Sequence, residues 1–285
     1  YNISLKYFFF FLLFVLTIIF SILANFAVSQ NSQLALQYYR SKEYDKAAEL
    51  YQELSDETGS KIYFNYLINC LLELEDYQEA EKAAKKQVRK QRNNAMYRVE
   101  LGYIYKLQEK FEDAEKEFEK ALDMIRPDQH TIIRLANEFI SKREYEYAEK
   151  VYLKAKKMVK GYGFNIELAN LYFYMRNYEK MINEYLDLLE VSDAYIQTVQ
   201  NRLQNAVYND IDNSLNLILE QELIKRVQED AGKIVFNKML VWLYIQEREF
   251  EKAFRQAIAL DRRLNENGRR LISLARLASS NEKFT

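Results

Sequence analysis

The sequence predicts an all-α fold, an α-solenoid of repeated helix–turn–helix units. Three observations predict it. Aromatic residues recur at Tyr44, Tyr77, Phe111, Tyr145, Tyr178, Phe250 and Phe284, with spacings of 33, 34, 34, 33, 72 and 34. A period near 34 means one supersecondary unit copied and stacked. The 285 residues include one proline and six glycines, so helix breakers are scarce. Alternating apolar hairpin patterns are absent, which leaves no candidate strands.

Each unit carries the same internal pattern. Ten residues before the aromatic stands a leucine (Leu34, Leu67, Leu101, Leu135, Leu168, Leu240, Leu274), usually followed by a small residue such as Ala35, Gly102, Ala136 or Ala169. Six before it is mostly aromatic (Tyr38, Tyr105, Phe139, Tyr172, Tyr244), and three after it is small (Ala47, Ala80, Ala114, Ala148, Ala253) except at Met181. Seven after it stand Tyr51, Phe118, Tyr152 and Tyr185, replaced by Ala84 and Ala257 in two copies. Helices that cross closely need small residues at the crossing and large ones beside it. The aromatic is expected to start the second helix and plug the gap within the pair. Short polar turns, such as Ser41-Lys42-Glu43, Glu75-Asp76 and Arg143-Glu144, join the helices.

This pattern resembles the tetratricopeptide repeat over roughly residues 31–285, although the proline closing each unit survives only near Pro127. The expected organisation has four parts. Residues 1–29 form a signal peptide or membrane anchor, and 30–191 hold repeats 1–5. Residues 192–232 form an irregular repeat, and 233–285 hold repeat 7 and the first half of repeat 8. In the irregular copy Ile211 takes the aromatic's place, and Asn201, Arg202 and Asn205 stand where the leucine–small pair belongs. After Ile211 the next aromatic is 39 residues away, which implies a lengthened second helix or a longer loop. The motif stops in mid-unit at Phe284, as a fragment of a longer array would.

The first residues have a character of their own. Lys6 precedes an uncharged apolar run from Tyr7 to Leu23, and Ala27 and Ser29 supply a small-residue cleavage site. That is a secretory signal cut after Ser29, with an uncleaved anchor over residues 7–28 as the alternative. The expected location is therefore exported, periplasmic or envelope-associated, or else anchored in the inner membrane.

Charge and chemistry exclude several classes. The 41 basic and 42 acidic residues nearly cancel, so no basic face for nucleic acid is expected. The single local cluster (Lys82, Lys85, Lys86, Arg89, Lys90, Arg92) reads as a solvated face. His130 is the only histidine and Cys70 the only cysteine, so metal sites, intramolecular disulfides and Cys–His catalysis have no constituents. Cys70 is expected to be a small buried apolar residue. No phosphate-binding glycine loop or nucleophile elbow occurs. The chain reads as non-enzymatic, with no cofactor and no metal.

The resemblance implies a binding groove lined by the first helices, with the residue two after each leucine pointing into it. Those positions include Asn69, Tyr103, Asn137 and Asn170; Arg134, one before its leucine, and Tyr174 extend the set. Asparagine amides can donate to and accept from an extended backbone. The expected partner is a protein or peptide segment. Family members that grip acidic chaperone tails use a lysine two before the leucine; here Asn65, Val99, Ile133 and Ile166 stand there, so that recognition is doubtful. The functional expectation is an interaction scaffold of a bacterial envelope, in secretion, outer-membrane or surface-polysaccharide machinery. The alternatives are a structural or self-associating spacer, and an accessory domain of an enzyme encoded beyond residue 285.

Overall fold

A computed structural model describes residues 28–208 and 214–282. The apolar segment through residue 27, the expected repeat positions Ile211 and Phe284 and the side chain of Asn205 lie outside them. Among the described residues there are helices and no strands. They divide into two compact units, one through Met124 and one from Ile125, in the connector that holds Pro127.

The first unit contains α1 (28–40), α2 (Tyr44–Thr58), α3 (Lys61–Glu73), α4 (Tyr77–Lys90), α5 (Ala95–Leu107) and α6 (Phe111–Asp123). The second contains α7 (Gln129–Ser141), α8 (Tyr145–Met158), α9 (Asn165–Tyr174), α10 (Tyr178–Val191), α11 (Ile196–Tyr208), α12 (Ser214–Glu229), α13 (Ile234–Gln246), α14 (Phe250–Leu264) and α15 (Arg269–Glu282). Every recurrent aromatic from Tyr44 to Phe250 is the first residue of a second helix. These residues do not plug the hairpins, however. Tyr44, Tyr77, Tyr145, Tyr178 and Phe250 are half-buried and Phe111 is 61% exposed, because a helix's first position sits at the turn rather than at the crossing.

Each regular turn has one fixed geometry. The residue two before the aromatic is left-handed in all six: Lys42, Glu75, Glu109, Arg143, Arg176 and Arg248, at φ 56–61°. This conformation lets the next amide reach back five residues, as in Glu144 N to Phe139 O at 2.9 Å and Asn177 N to Tyr172 O at 2.9 Å. None of the six is glycine, so each turn holds a backbone state that L-residues disfavour by about 1–2 kcal/mol. Packing of the two helices outweighs it.

The crossings are as close as their composition predicts. Ala35, Ala47, Ala80, Ala136, Ala148, Ala169, Ala253 and Ala257 are fully buried, and Leu67, Leu101, Leu135, Leu168, Leu240 and Leu274 are at most 4% exposed. Leu34 departs from the rule at 38%, since no helix precedes α1 among the described residues. At Gly102 a Cβ would run into the ring of Phe118, itself 2% exposed. A helix-interior glycine costs up to about 1 kcal/mol, and here that cost is offset by the approach of α6 to α5.

Successive hairpins are also riveted by a polar device. The Tyr172 hydroxyl donates to Glu149 at 2.8 Å, and Lys180 pairs with the same carboxylate at 2.8 Å while lying 5.1 Å from the centre of the Tyr172 ring. Tyr244, Glu220 and Lys252 repeat this arrangement, with a 2.8 Å hydroxyl bond and a 5.3 Å ring contact. In the first unit Glu81 accepts from Lys85, Lys110 and Gln108, and both lysines sit within 6 Å of the Tyr105 ring. Burial pushes the Glu81 carboxyl up, but these donors outweigh it and hold it at about 2. Tyr172 and Tyr244, six before their recurrent aromatics, are therefore both packing elements and hydrogen-bond donors.

Cys70 is fully buried in the core of the first unit, and burial pushes its thiol up to about 12, which leaves it unreactive.

Candidate functional site

The expected groove residues lie in both units. In the first, Asn69 is exposed on α3 and Tyr103 half-buried on α5. Their neighbours Tyr39, Tyr51, Tyr63 and Tyr66 form an aromatic cluster, with Tyr51 stacked on Tyr66 at 4.8 Å and 10°. Tyr66 is thus partly occupied by packing. Of the residues one before the leucines, Glu100 is 3% exposed and Met239 fully buried, so neither lines a surface. Those two positions face neighbouring helices instead of solvent.

The second unit offers the more complete face. Arg134 and Asn137 are exposed on α7, and Asn170 is half-buried on α9. Phe173 and Tyr174, at the end of α9, are 49% and 58% exposed. Glu167, Asn170 and Tyr174 stand at i, i+3 and i+7, so one stripe of α9 carries all three. Tyr174 lies parallel to Tyr145 from the start of α8, with centroids 6.4 Å apart and an interplanar angle of 7°, and meets Phe173 edge-on at 6.3 Å. Tyr145 was legible only as a repeat marker; the stack makes it the floor of an exposed aromatic shelf. The Glu167 carboxylate receives the Tyr162 hydroxyl at 2.6 Å on one oxygen. Its other oxygen is buried with no hydrogen-bond partner among the described residues. Burial and this acceptor together push the Tyr162 phenol up to about 12.

At the opposite end of this hairpin, the connector from α8 to α9 frames a cleft of about 400 Å³ lined by Lys156, Tyr162, Phe164, Asn165, Leu188 and Tyr195. Its polar groups are turned inward: Asn165 donates to Glu184 at 2.8 Å and Lys156 pairs with Glu184 at 3.2 Å. Burial raises the Glu184 carboxyl above its ordinary range, with Lys156 opposing that rise. Phe164 sits left-handed at φ 53° and 1% exposed, a wedge between two hairpins. The sequence signal for this cleft was the Gly161-Tyr162-Gly163 connector, which the repeat pattern passes over.

No group of three or more metal-ligating side chains is assembled among the described residues. His130 is exposed in the first turn of α7, where Asp128 caps the helix by accepting from Thr131 N at 2.8 Å.

Fold and face together define an α-solenoid of tetratricopeptide-type hairpins, with surface chemistry suited to holding another chain. Residues 97–128, which span α5 and α6, match the family model described as tetratricopeptide repeat. A search of curated proteins returns no match. Among solved structures, similarity extends to a tetratricopeptide repeat protein from Parabacteroides merdae (12% identity, 88% of this chain and 97% of that one, TM-score 0.34). It extends also to the TPR2AB domain of yeast Sti1 in complex with pHSP90 (16%, 88% and 97%, TM-score 0.31). A third is the Naa15/Naa10 assembly bound to HypK-THB (14% identity, TM-score 0.34), where the match covers 90% of this chain and 40% of that one.

Proposed function

We propose that this protein is a non-enzymatic interaction scaffold that holds an extended protein segment along the α7–α9 face. The observation that carries the reading is the α9 stripe. Tyr174 is 58% exposed, and Asn170 and Asn137 present amides at equivalent positions of successive first helices. An extended backbone supplies both donors and acceptors to the amides, while the Tyr145–Tyr174 shelf receives an apolar side chain. Arg134 adds a cation for an acidic residue of the same segment. Asn69 and Tyr103 would serve the same purpose in the first unit.

The reading places this scaffold in a bacterial cell envelope, supported by the charged start, apolar run and small residues of the first 29 positions. N-terminal sequencing of the protein recovered from soluble and membrane fractions distinguishes a cut after Ser29 from an uncleaved anchor. A cytosolic protein with residues 1–29 intact would defeat both.

Peptide-array capture tests the site. Asn137→Ala combined with Asn170→Ala and Tyr174→Ala should weaken capture by at least about tenfold, each being a surface contact worth on the order of 1 kcal/mol. The helical circular-dichroism signal should be unchanged. Undiminished capture would remove the face from consideration, and loss of the helical signal would make the amides structural. A concentration-dependent dimer in light scattering, with no captured peptide, favours the self-associating spacer.

A further inference from the structure

The hairpin of α3 and α4 is polarised end to end. Its turn carries Glu73, Glu75, Asp76 and Glu79, all exposed. Its opposite end carries Lys61 at the start of α3, with Arg89, Lys90 and Arg92 exposed at and beyond the end of α4. Ile62 projects from that cationic end at 66% exposure, the most exposed isoleucine of the described residues. Two carboxylates share the end: Asp56, paired with Lys86 at 2.7 Å, and the exposed Glu57. Cations therefore predominate there. At the other end Leu74 is also exposed, at 45%, but stands among carboxylates.

Chain direction adds a second observation. Helices α1, α2 and α3 alternate in direction, so α1 begins at the end of the unit where α3 begins and α4 finishes. The apolar run from Tyr7 to Leu23 ends a few residues before α1 is in place at residue 28. A polypeptide emerging from a bilayer into α1 would thus present the cationic end and Ile62 to the lipid, and point the acidic turns away.

We propose that this end of the first unit docks on an anionic phospholipid surface. Lysine and arginine are attracted to an anionic headgroup layer, an attraction that falls off within a Debye length of about 10 Å. An exposed isoleucine among them enters the interfacial layer, where its burial adds to the attraction. Lys86, Arg89 and Lys90 also border an open cleft of about 630 Å³ along α4, whereas Lys61, Ile62 and Arg92 lie outside it, so the cations spread over the tip beyond any one anion's reach and suit many mobile headgroups. This docking is independent of the α7–α9 face and holds whether or not that face binds a peptide.

The test uses the full chain reconstituted with vesicles of phosphatidylcholine alone or mixed with phosphatidylglycerol. An environment-sensitive label is placed at Ile62→Cys or, as the control, at Glu75→Cys. Cys70 is fully buried and stays unlabelled. Quenching by brominated lipid should be several-fold stronger at position 62 in the anionic vesicles than in phosphatidylcholine, and weak at position 75 in both. Adding R89E, K90E and R92E should abolish the difference while the helical signal persists, and 0.5 M salt should do the same through a Debye length of about 4 Å. Equal quenching at the two positions, no dependence on phosphatidylglycerol, or an unchanged signal in the charge-reversed variant would each overturn the proposal. Should the triple variant lose its helical signal, the salt series on the parent chain decides: salt-independent quenching refutes electrostatic docking.

Discussion

The hairpins α7–α8 and α9–α10 and the irregular repeat α11–α12 use the same kind of helix with different closures. In the regular pairs, leucine and alanine meet at the crossing: Leu135 with Ala136, and Leu168 with Ala169, are at most 2% exposed. In the irregular repeat the corresponding positions are Asn201 and Arg202, both exposed, and α11 buries Val199 and Leu203 instead. Helix α12 nonetheless keeps its place. It packs against α10 and α13, and Glu220 makes the same tyrosine–lysine rivet to the next hairpin that Glu149 makes in repeat 4. Among the described residues, the leucine–small pair is lost in α11 while α12 keeps its neighbours.

Helix α12 buries Leu215, Leu219 and Leu223, and one arginine adds a polar tie to α10. Arg226 reaches Asn183 at 3.1 Å, Asp187 at 2.6 Å and Glu190 at 2.5 Å, three residues on one face of α10, and lies 5.7 Å from the Phe236 ring of α13. Beside that apolar packing, a guanidinium fork satisfies three acceptors at once. The comparison teaches that the second helix keeps its contacts with the neighbouring hairpins, whereas the first helix can depart from the pattern by burying other residues, Val199 and Leu203.

The largest expected effect separates the two closures. Leu168→Ala should destabilise the second unit by about 3 kcal/mol, as a buried leucine truncation does. Asn201→Ala, in the same register of the irregular repeat, should cost under about 0.5 kcal/mol. Denaturant melts of the two variants check this, and equal losses would break the comparison. Next in size is Arg226→Ala, at about 1–2 kcal/mol, discounted because the partner carboxylates are partly exposed. Arg226→Lys should recover little of it, since one ammonium cannot serve three acceptors. Full recovery by lysine would show that charge alone suffices. The smallest effect has the opposite sign: Arg143→Gly should stabilise by up to about 1 kcal/mol by relieving the left-handed turn. A fall in melting temperature there would mean that the arginine side chain contributes more than its backbone costs.

How much was legible beforehand follows the range of the interactions. The second helices began where the aromatics said, because helix starts and turns are local events repeated six times among the described residues. Burial of Ala136, Ala148 and Leu168 was legible for the same reason. The exposure of Phe111, the inward role of Glu100 and Met239, and the shelf made by Tyr145 under Tyr174 were not. Each depends on which neighbouring helix arrives, and the partner is tens of residues away. The division at Met124 left only Pro127 as a trace, since the 34-residue pattern runs through it unbroken.

By itself, the order of residues determined an all-α chain of paired helices, their boundaries and the small side chains at their crossings, because period and propensity act within one unit. Only the tertiary structure decided which polar side chains became rivets, how Arg226 tied α12 to α10, and which aromatics stayed in solvent. Those outcomes depend on distances between helices far apart in sequence, and a change of one or two ångströms separates a hydrogen bond from none.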